Sequence, residues 1–125
     1  MRRFLVAVTA AICIFAPTAP VQAQLSSQRI VPLGYCQLAT LSSAIGLSSC
    51  NSNVGIPSGA TCVLMAAEVA AIVFRDDGTS PTATVGLQIQ PALQPWLYCG
   101  TLSALQFIAA AGSPVLDVLF YRIAG

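Results

Sequence analysis

The sequence predicts an all-β fold, a single antiparallel β-sandwich of jelly-roll-like form with about 7–8 short strands. Apolar and polar residues alternate in short stretches, as they do along strands that bury one face, and Gly, Pro, Ser and Asn separate these stretches. No convincing helical period follows residue 23. Residues 24–125, about 102 in number, suffice for one domain with a single core.

The first part of the predicted domain contains two strand regions and a loop. Residues 24–29 form a polar lead-in, and residues 30–39 are rich in β-forming types. Alternation resumes in the Ser-rich stretch 41–49. An Asn and Ser cluster, followed by two glycines and a proline, predicts a loop over residues 51–59.

Residues 60–74 are an apolar run that fits either a helix of about four turns or strands. The alanines in its middle favour a helix, whereas β-branched and aromatic residues cluster at its ends. A turn sequence follows directly, as a strand requires. We interpret the run as two strands, or one long bent strand, broken near residues 66–68.

The most regular alternation lies in residues 84–90, which predict a strand with Val85, Leu87 and Ile89 on its inner face. Two prolines then break the chain, and residues 96–99 begin another strand, which residues 105–109 continue after a short interruption.

The last predicted strand covers residues 115–123 and is apolar on nearly both faces. One face carries Leu116, Val118 and Phe120, and the other carries Val115, Asp117, Leu119 and Tyr121. A strand with two apolar faces is central in its sheet or covered on both sides.

Residues 1–23 have the pattern of a secretory signal peptide: Arg2 and Arg3, an apolar core, and a small-residue site that predicts cleavage after Ala23. The alternative, a membrane anchor, needs about 20 apolar residues, whereas this run has about 13. The sequence therefore predicts a secreted or periplasmic protein with no stable membrane insertion after cleavage.

The predicted mature chain has almost no charge. Its cations number three and its anions four, which gives 3 − 4 = −1: Arg29, Arg75 and Arg122 against Glu68, Asp76, Asp77 and Asp117. Without a basic cluster the chain lacks the electrostatic footprint of a nucleic-acid-binding protein. A surface of small polar and apolar groups instead favours association with protein subunits, of the same chain or of a larger assembly.

Four cysteines remain after the predicted cleavage: Cys36, Cys50, Cys62 and Cys99. An even number of cysteines in an exported domain predicts two disulfides. Four cysteines can be paired in three different ways. We favour Cys36 with Cys50, which closes a modest loop, and Cys62 with Cys99, which ties distant strands together. A zinc site is disfavoured, because no Cys-x-x-Cys pair and no histidine are present.

The charged segment formed by Arg75, Asp76, Asp77, Gly78 and Thr79 predicts a tight hairpin turn. We expect Asp76 to cap backbone amides, Asp77-Gly78 to take left-handed geometry, and Arg75 to pair with a neighbouring carboxylate. The alternative is a calcium site at Asp76 and Asp77. The alternating acidic ligands of a calcium loop are absent, so no metal is predicted.

The composition also disfavours an enzyme. Without histidine, a serine or cysteine nucleophile lacks its usual base, and the cysteines are expected to be oxidised. Adjacent aspartates point to opposite sides of a strand, and Asp117 lies inside an apolar strand. We predict no catalytic residues and no cofactor.

Five segments of the chain carry a resemblance to known proteins. The most specific is residues 75–82, with the pattern RDDGTxPT. The others are residues 33–38, 56–61, 102–108 and 116–121. Together they resemble a group of small, mostly uncharacterised β-sandwich proteins from bacterial genomes, prophages and tailed-phage structural genes. The resemblance implies a structural or decorating module without catalytic residues. The export signal departs from virion members and favours an exported relative.

The sequence therefore predicts an exported, non-catalytic structural or interaction module. The alternative is a carbohydrate-binding module, in which Trp96 with Tyr98 and Tyr35 forms an aromatic platform for a sugar ring.

Overall fold

A computed structural model describes residues 29–124, so the predicted signal peptide, and the polar lead-in up to residue 28, lie outside the described residues. Two four-stranded antiparallel sheets form this part of the chain. The strands are β1 Arg29–Leu38, β2 Ile45–Gly46, β3 Cys62–Glu68, β4 Ile72–Arg75, β5 Leu87–Ile89, β6 Trp96–Cys99, β7 Gln106–Ala109 and β8 Val115–Ala124. One α-helical turn, Cys50–Asn53, and two 3-10 turns, Leu47–Ser49 and Leu102–Ala104, complete the fold.

The strand order confirms the jelly-roll-like β-sandwich. The first sheet has the order β1-β8-β3-β6 and the second has the order β2-β7-β4-β5. Pairing therefore joins the first strand to the last, the second to the seventh, the third to the sixth and the fourth to the fifth. A long antiparallel hairpin rolled into two sheets produces this order, which is the jelly-roll arrangement.

The core lies between the two sheets. Phe107 of β7 is opposite Phe74 of β4, and both are buried. From the first sheet, Val63 and Met65 of β3 and alternate residues of β8 meet them in one cluster. Among residues 29–51 and 54–124, none of the buried side chains is polar or charged. Burial of apolar area is thus the main stabilising contribution of this core.

The prediction that the last strand is central is confirmed, because β8 lies between β1 and β3. Leu116, Val118 and Phe120 are buried against the second sheet, as their alternation indicated. The opposite face of the strand is not buried to the same degree, since Leu119 is exposed.

The apolar run 60–74 forms two strands, as interpreted, and the chain passes from the first sheet to the second between them. The break lies at Val69, just after the expected position. Val69 has φ 73°, and the Ala70 amide donates to the Glu68 carbonyl at 2.9 Å. This is a γ-turn with positive φ, a rare and strained conformation, at a β-branched residue.

Replacing Val69 with glycine is expected to raise the unfolding free energy by about 1 kcal/mol, because glycine adopts positive φ without steric cost. Urea denaturation measures the change. Val54 is the matched control, since it is equally exposed but has φ −65°. There the same substitution should be neutral or destabilising. A loss of stability in Val69→Gly would contradict strain at this turn.

The prediction for residues 84–90 is wrong in extent and in burial. The strand is Leu87–Ile89, and of the three residues assigned to the inner face only Ile89 is buried. Regular pairing with β4 begins only after Gly86, where an added Cβ would lie 2.5 Å from a methyl group of Val73 and 2.8 Å from the carbonyl oxygen of Phe74. Leu87 has the same parity as Ile89 but remains exposed on this edge strand.

Two further expectations are corrected. Residues 105–109 do not continue the strand of residues 96–99: β6 belongs to the first sheet and β7 to the second. The 3-10 turn between them redirects the chain. The stretch 41–49 holds a two-residue strand and a 3-10 turn, followed by the helical turn Cys50–Asn53, which was not predicted.

The disulfides join Cys36 to Cys50 and Cys62 to Cys99, the pairing that the sequence analysis favoured. The first fastens β1 to the helical turn, and the second joins directly opposite positions of β3 and β6. Two disulfides in a small domain indicate an oxidising environment.

Candidate functional site

The charged segment after β4 is built around Asp77. Arg75 donates to both carboxylate oxygens of Asp77, with its Nε 3.2 Å from Oδ1. The backbone amide of Thr79 donates to the same Oδ1 at 3.0 Å. The sequence analysis expected Asp76 to cap the turn. The capping carboxylate is instead that of Asp77. Of the predicted left-handed pair Asp77-Gly78, only Gly78 has positive φ, at 77°, and Asp77 does not.

The segment does not form a tight hairpin turn. It begins a long connection over residues 76–86, in which the tight turn lies further on, where Thr82 and Val85 form a bridge. The amide of Gly78 donates to the carbonyl of Ala104 at 3.2 Å, which fastens the connection to the chain just before β7. The charged segment thus anchors a loop to the second sheet.

The contacts of Asp77 leave little capacity for a cation. The Arg75 guanidinium and the Thr79 amide lower the pKa of Asp77, so its carboxylate is already neutralised by partners of this chain. Asp76 approaches Tyr98 instead, whose pKa is raised by desolvation and by this carboxylate. Within the part of the chain that the structure describes, no three Cys, Asp or Glu side chains come together as a metal site.

The most extensive exposed feature is on the face of the first sheet that points away from the second sheet, here called the outer face. Register places one residue from each strand in a line across it: Tyr35 of β1, Leu119 of β8, Leu64 of β3 and Leu97 of β6. Tyr35 is 52% exposed, Leu97 56% and Leu119 38%, and Leu64 is half-buried. We call these four residues the apolar row.

Further apolar groups extend the outer face toward one end of the sheet. Ile30 of β1 is directly opposite Ile123 of β8, and both are exposed. Cys62 and Cys99 are two positions from Leu64 and Leu97 along β3 and β6, so their disulfide also lies on this face. Solvent-exposed apolar residues that are contiguous across four strands are typical of interaction surfaces, whereas scattered ones are ordinary.

The other end of the outer face carries two carboxyl groups. Asp117 Oδ1 accepts hydrogen bonds from the Tyr35 hydroxyl at 2.5 Å and from Gln37 Nε2 at 3.1 Å. The hydrogen bond to Asp117 also raises the pKa of Tyr35. A side-chain hydrogen bond with Asp117 and, after it, the negative charge of Asp117 raise the pKa of Glu68.

These pKa shifts predict opposite effects of acid at Glu68 and Asp77. The folded state binds a proton at Glu68 more tightly than the unfolded state does, so this group adds stability as pH falls through its raised pKa. The stability contributed by Asp77 is complete above its unfolded pKa and is lost as pH falls through the lowered value.

Glu68→Gln is therefore expected to be more stable than the original chain at pH 7, with a difference that shrinks below about pH 4. Asp77→Asn, the matched control, should be less stable at pH 7 and should also converge in acid. Thermal unfolding between pH 3 and pH 8 measures both. A difference for Glu68→Gln that grows on acidification would contradict the carboxyl contact.

The aromatic residues proposed as one sugar platform are separated. Trp96 is opposite Met65 and therefore lies on the side of the sheet that faces the core. Its ring contacts that of Phe74 edge-on, at a centroid distance of 5.6 Å. Tyr98 alternates with it on the same side. Tyr35 lies on the outer face, on the opposite edge strand. A platform of all three residues is therefore wrong, although Trp96 remains 43% exposed.

The second sheet does not present a comparable face. Val73 on its outward side is fully buried, and Gly86 of the connection 76–86 lies against it. A shallow cavity of about 210 Å³ at one end of the sandwich is lined by uncharged residues of the segments 39–42 and 109–114. It offers no charged group to orient a ligand.

Comparisons with protein-family models, with curated proteins and with solved structures found no match for this chain. Among residues 29–124 there is no helix with the length and apolar character needed to cross a membrane.

Proposed function

We propose that this protein is an exported, non-catalytic structural or interaction module that binds protein subunits through the outer face of its first sheet. The apolar row carries the proposal, since it presents apolar side chains from all four strands in one line, three of them exposed and Leu64 half-buried. Interfaces bury such patches and are depleted of charge at their centres. The residues of the row are uncharged.

The proposed export route supports this role. Residues 1–23 have the pattern of a signal peptide, and the two disulfides fit an oxidising compartment, either periplasmic or extracellular. The resemblance to phage-type decorating and structural proteins points to the same class of function. The predicted export signal favours an exported relative over a virion component, because capsids are assembled in the cytoplasm.

A carbohydrate-binding module is the second candidate. Trp96 is partly exposed, and Tyr98 with Asp76 lies on the same side of the sandwich. Sugar sites combine an exposed aromatic ring with nearby polar groups. The edge contact of Trp96 with Phe74 instead indicates that the ring closes the open side of the core, which favours the first candidate.

Photo-crosslinking tests the two candidates. A photoreactive residue in place of Leu119, introduced during expression through the natural export route, should give protein adducts. The same residue in place of Leu93, which is exposed but outside the outer face, is the control and should give none. A glycan array probed with the purified protein tests the alternative. Specific glycan binding that Trp96→Ala abolishes, with no adduct at position 119, would overturn the proposal.

A further inference from the structure

We propose that the Cys62–Cys99 disulfide is a site of thiol–disulfide exchange. A small-molecule thiol reduces this bond in the folded protein and releases the edge strand β6, while the Cys36–Cys50 disulfide stays closed. The site is a redox activity of the chain, separate from binding at the apolar row.

The two disulfides differ in their access to solvent. Cys36 and Cys50 are both fully buried. Cys99 is exposed on β6, and among the described residues no strand of the first sheet lies beyond β6. Thiol exchange requires contact between an attacking thiolate and one sulfur of the bond, so exposure controls its rate. A thiol therefore reaches Cys99 in the folded chain, whereas it reaches Cys36 and Cys50 only when the core opens.

Exposure also determines which sulfur is attacked, because Cys62 is only 2% exposed. The attacking thiolate, having lost its proton to water, forms a bond to the Cys99 sulfur. The bond between the two cysteines breaks, and its electron pair passes to the Cys62 sulfur, which takes a proton from water. A second thiolate attacks the external sulfur of this mixed disulfide and releases Cys99, which is protonated in turn. Two external thiols are thus oxidised to one disulfide, and the protein disulfide is reduced to two thiols.

A hydrogen bond favours Cys62 as the leaving group. The Thr61 hydroxyl donates to the Cys62 sulfur at 4.0 Å. The oxygen of this hydroxyl accepts from the Ile123 amide at 3.3 Å, which leaves its own proton for the sulfur. A donor to a thiolate stabilises the charged form, and a thiolate of lower pKa leaves faster. Thr61 therefore assists the step that the exposure of Cys99 begins.

Reduction affects β6 in particular, because the disulfide occupies a position without paired backbone hydrogen bonds. The Gly100 amide donates to the Thr61 carbonyl at 3.3 Å, which makes these two residues a hydrogen-bonded pair of the antiparallel ladder. Hydrogen-bonded and non-hydrogen-bonded pairs alternate, so Cys62 and Cys99 form a non-hydrogen-bonded pair. The disulfide is the link between the strands at that position. Its reduction leaves a four-residue strand that pairs with β3 alone.

Loop length gives no reason for Cys62–Cys99 to be reduced first. This bond spans 37 residues and Cys36–Cys50 spans 14, so the bond across the longer loop restricts the unfolded chain more. If both bonds opened only on global unfolding, their reduction rates would be equal. Faster reduction of Cys62–Cys99 is therefore specific to access in the folded state.

Reduction of the purified protein, with both disulfides formed and without denaturant, tests the site. Millimolar reduced glutathione is the thiol, acid stops the exchange, and alkylation with mass spectrometry measures each cysteine. Cys62 and Cys99 should become reduced at least about tenfold faster than Cys36 and Cys50, and the first glutathione adduct should be on Cys99. Equal rates for the two bonds, faster reduction of Cys36–Cys50, or no reduction without denaturant overturns the proposal. A first adduct on Cys62 contradicts the assigned direction of attack.

Thr61→Val tests the leaving group. It should slow reduction of Cys62–Cys99 about threefold and leave the rate at Cys36–Cys50 unchanged. Thr61→Ser retains the hydroxyl and should restore the original rate. Thr101→Val is the matched control, at an exposed threonine two residues beyond Cys99, and should change neither rate. Equal slowing in Thr61→Val and Thr101→Val, or faster reduction in Thr61→Val, contradicts the role of Thr61.

Hydrogen exchange of the glutathione-reduced protein tests the release of β6. The amides of β6 should lose protection while those of β8 retain it, and reoxidation with oxidised glutathione should restore the original pattern. Loss of protection throughout both sheets, or unchanged protection of β6, would exclude a local release of this strand.

Discussion

Removal of the Cys62–Cys99 disulfide by the double substitution Cys62→Ala and Cys99→Ala is expected to lower the unfolding free energy by about 4 kcal/mol. The bridge spans 37 residues, and the loss of chain entropy in the unfolded state grows with the length of the closed loop. Urea denaturation of the two proteins, with a correction for any change in slope, measures the difference.

The position of the bridge predicts where the damage occurs. β6 is an edge strand of four residues that pairs with β3 alone, and most of it is exposed. Without the disulfide, the backbone amides of β6 should exchange with solvent much faster than those of β8, which is flanked by strands on both sides. Because Leu97 of the apolar row lies on β6, the proposed binding of a partner through the outer face should weaken as well.

Cys36→Ala with Cys50→Ala is the matched control. That bridge spans 14 residues, so the same entropy argument gives about 3 kcal/mol. The amides of β6 should keep their protection in this variant. A larger loss for the shorter loop, or equal loss of β6 protection in both variants, would contradict the account given for Cys62–Cys99.

The sequence was most informative where one element carries its own signal. The alternation of β8 identified its buried face correctly, and the two-sided apolar pattern placed it at the centre of its sheet. The pairing of the cysteines that we favoured, one of three that the sequence left open, agrees with the structure. For β8, the deciding information lies within one stretch of chain.

The errors arise where tertiary contacts decide the outcome. Val85 and Leu87 alternate with Ile89, but pairing with β4 begins only at Leu87, and both side chains are exposed at this edge of the sheet. Alternation shows which residues share a face and does not show what covers it. Asp76 and Asp77 have equal capping capacity in the sequence, and the position of Arg75 at the end of β4 selects Asp77.

The apolar row could not be predicted from the sequence, since its residues are far apart along the chain. Tyr35, Leu64 and Leu97 become neighbours of Leu119 only through the register of three separate strand pairs. The sequence contained one indication of this surface, the second apolar face of the last strand, which predicted that other residues cover that face. In the described residues 29–124, Leu119 on this face remains exposed. The proposed function starts from that observation.

Phe107→Ala is expected to destabilise the fold by about 3–5 kcal/mol, the largest loss among single substitutions in the core. Phe107 is fully buried in β7, opposite Ile45 of β2 and Phe74 of β4, and its ring lies 6.2 Å from that of Phe74. The substitution removes most of a large apolar side chain and leaves a cavity between the sheets, since flanking strands prevent β7 from moving inward.

Two further variants test whether buried packing at Phe107 causes this loss of stability. Phe107→Leu keeps most of the volume and should cost less, about 1–1.5 kcal/mol, if packing is the cause. Trp96→Ala removes a larger side chain that is 43% exposed, so it should cost less than Phe107→Ala if stability follows burial instead of size. Denaturant unfolding of the three variants supplies the ranking. A larger loss of unfolding free energy for Trp96→Ala would contradict this prediction. It would mean that the partly exposed ring of Trp96, at the open side of the sandwich, contributes more to stability than the buried ring of Phe107.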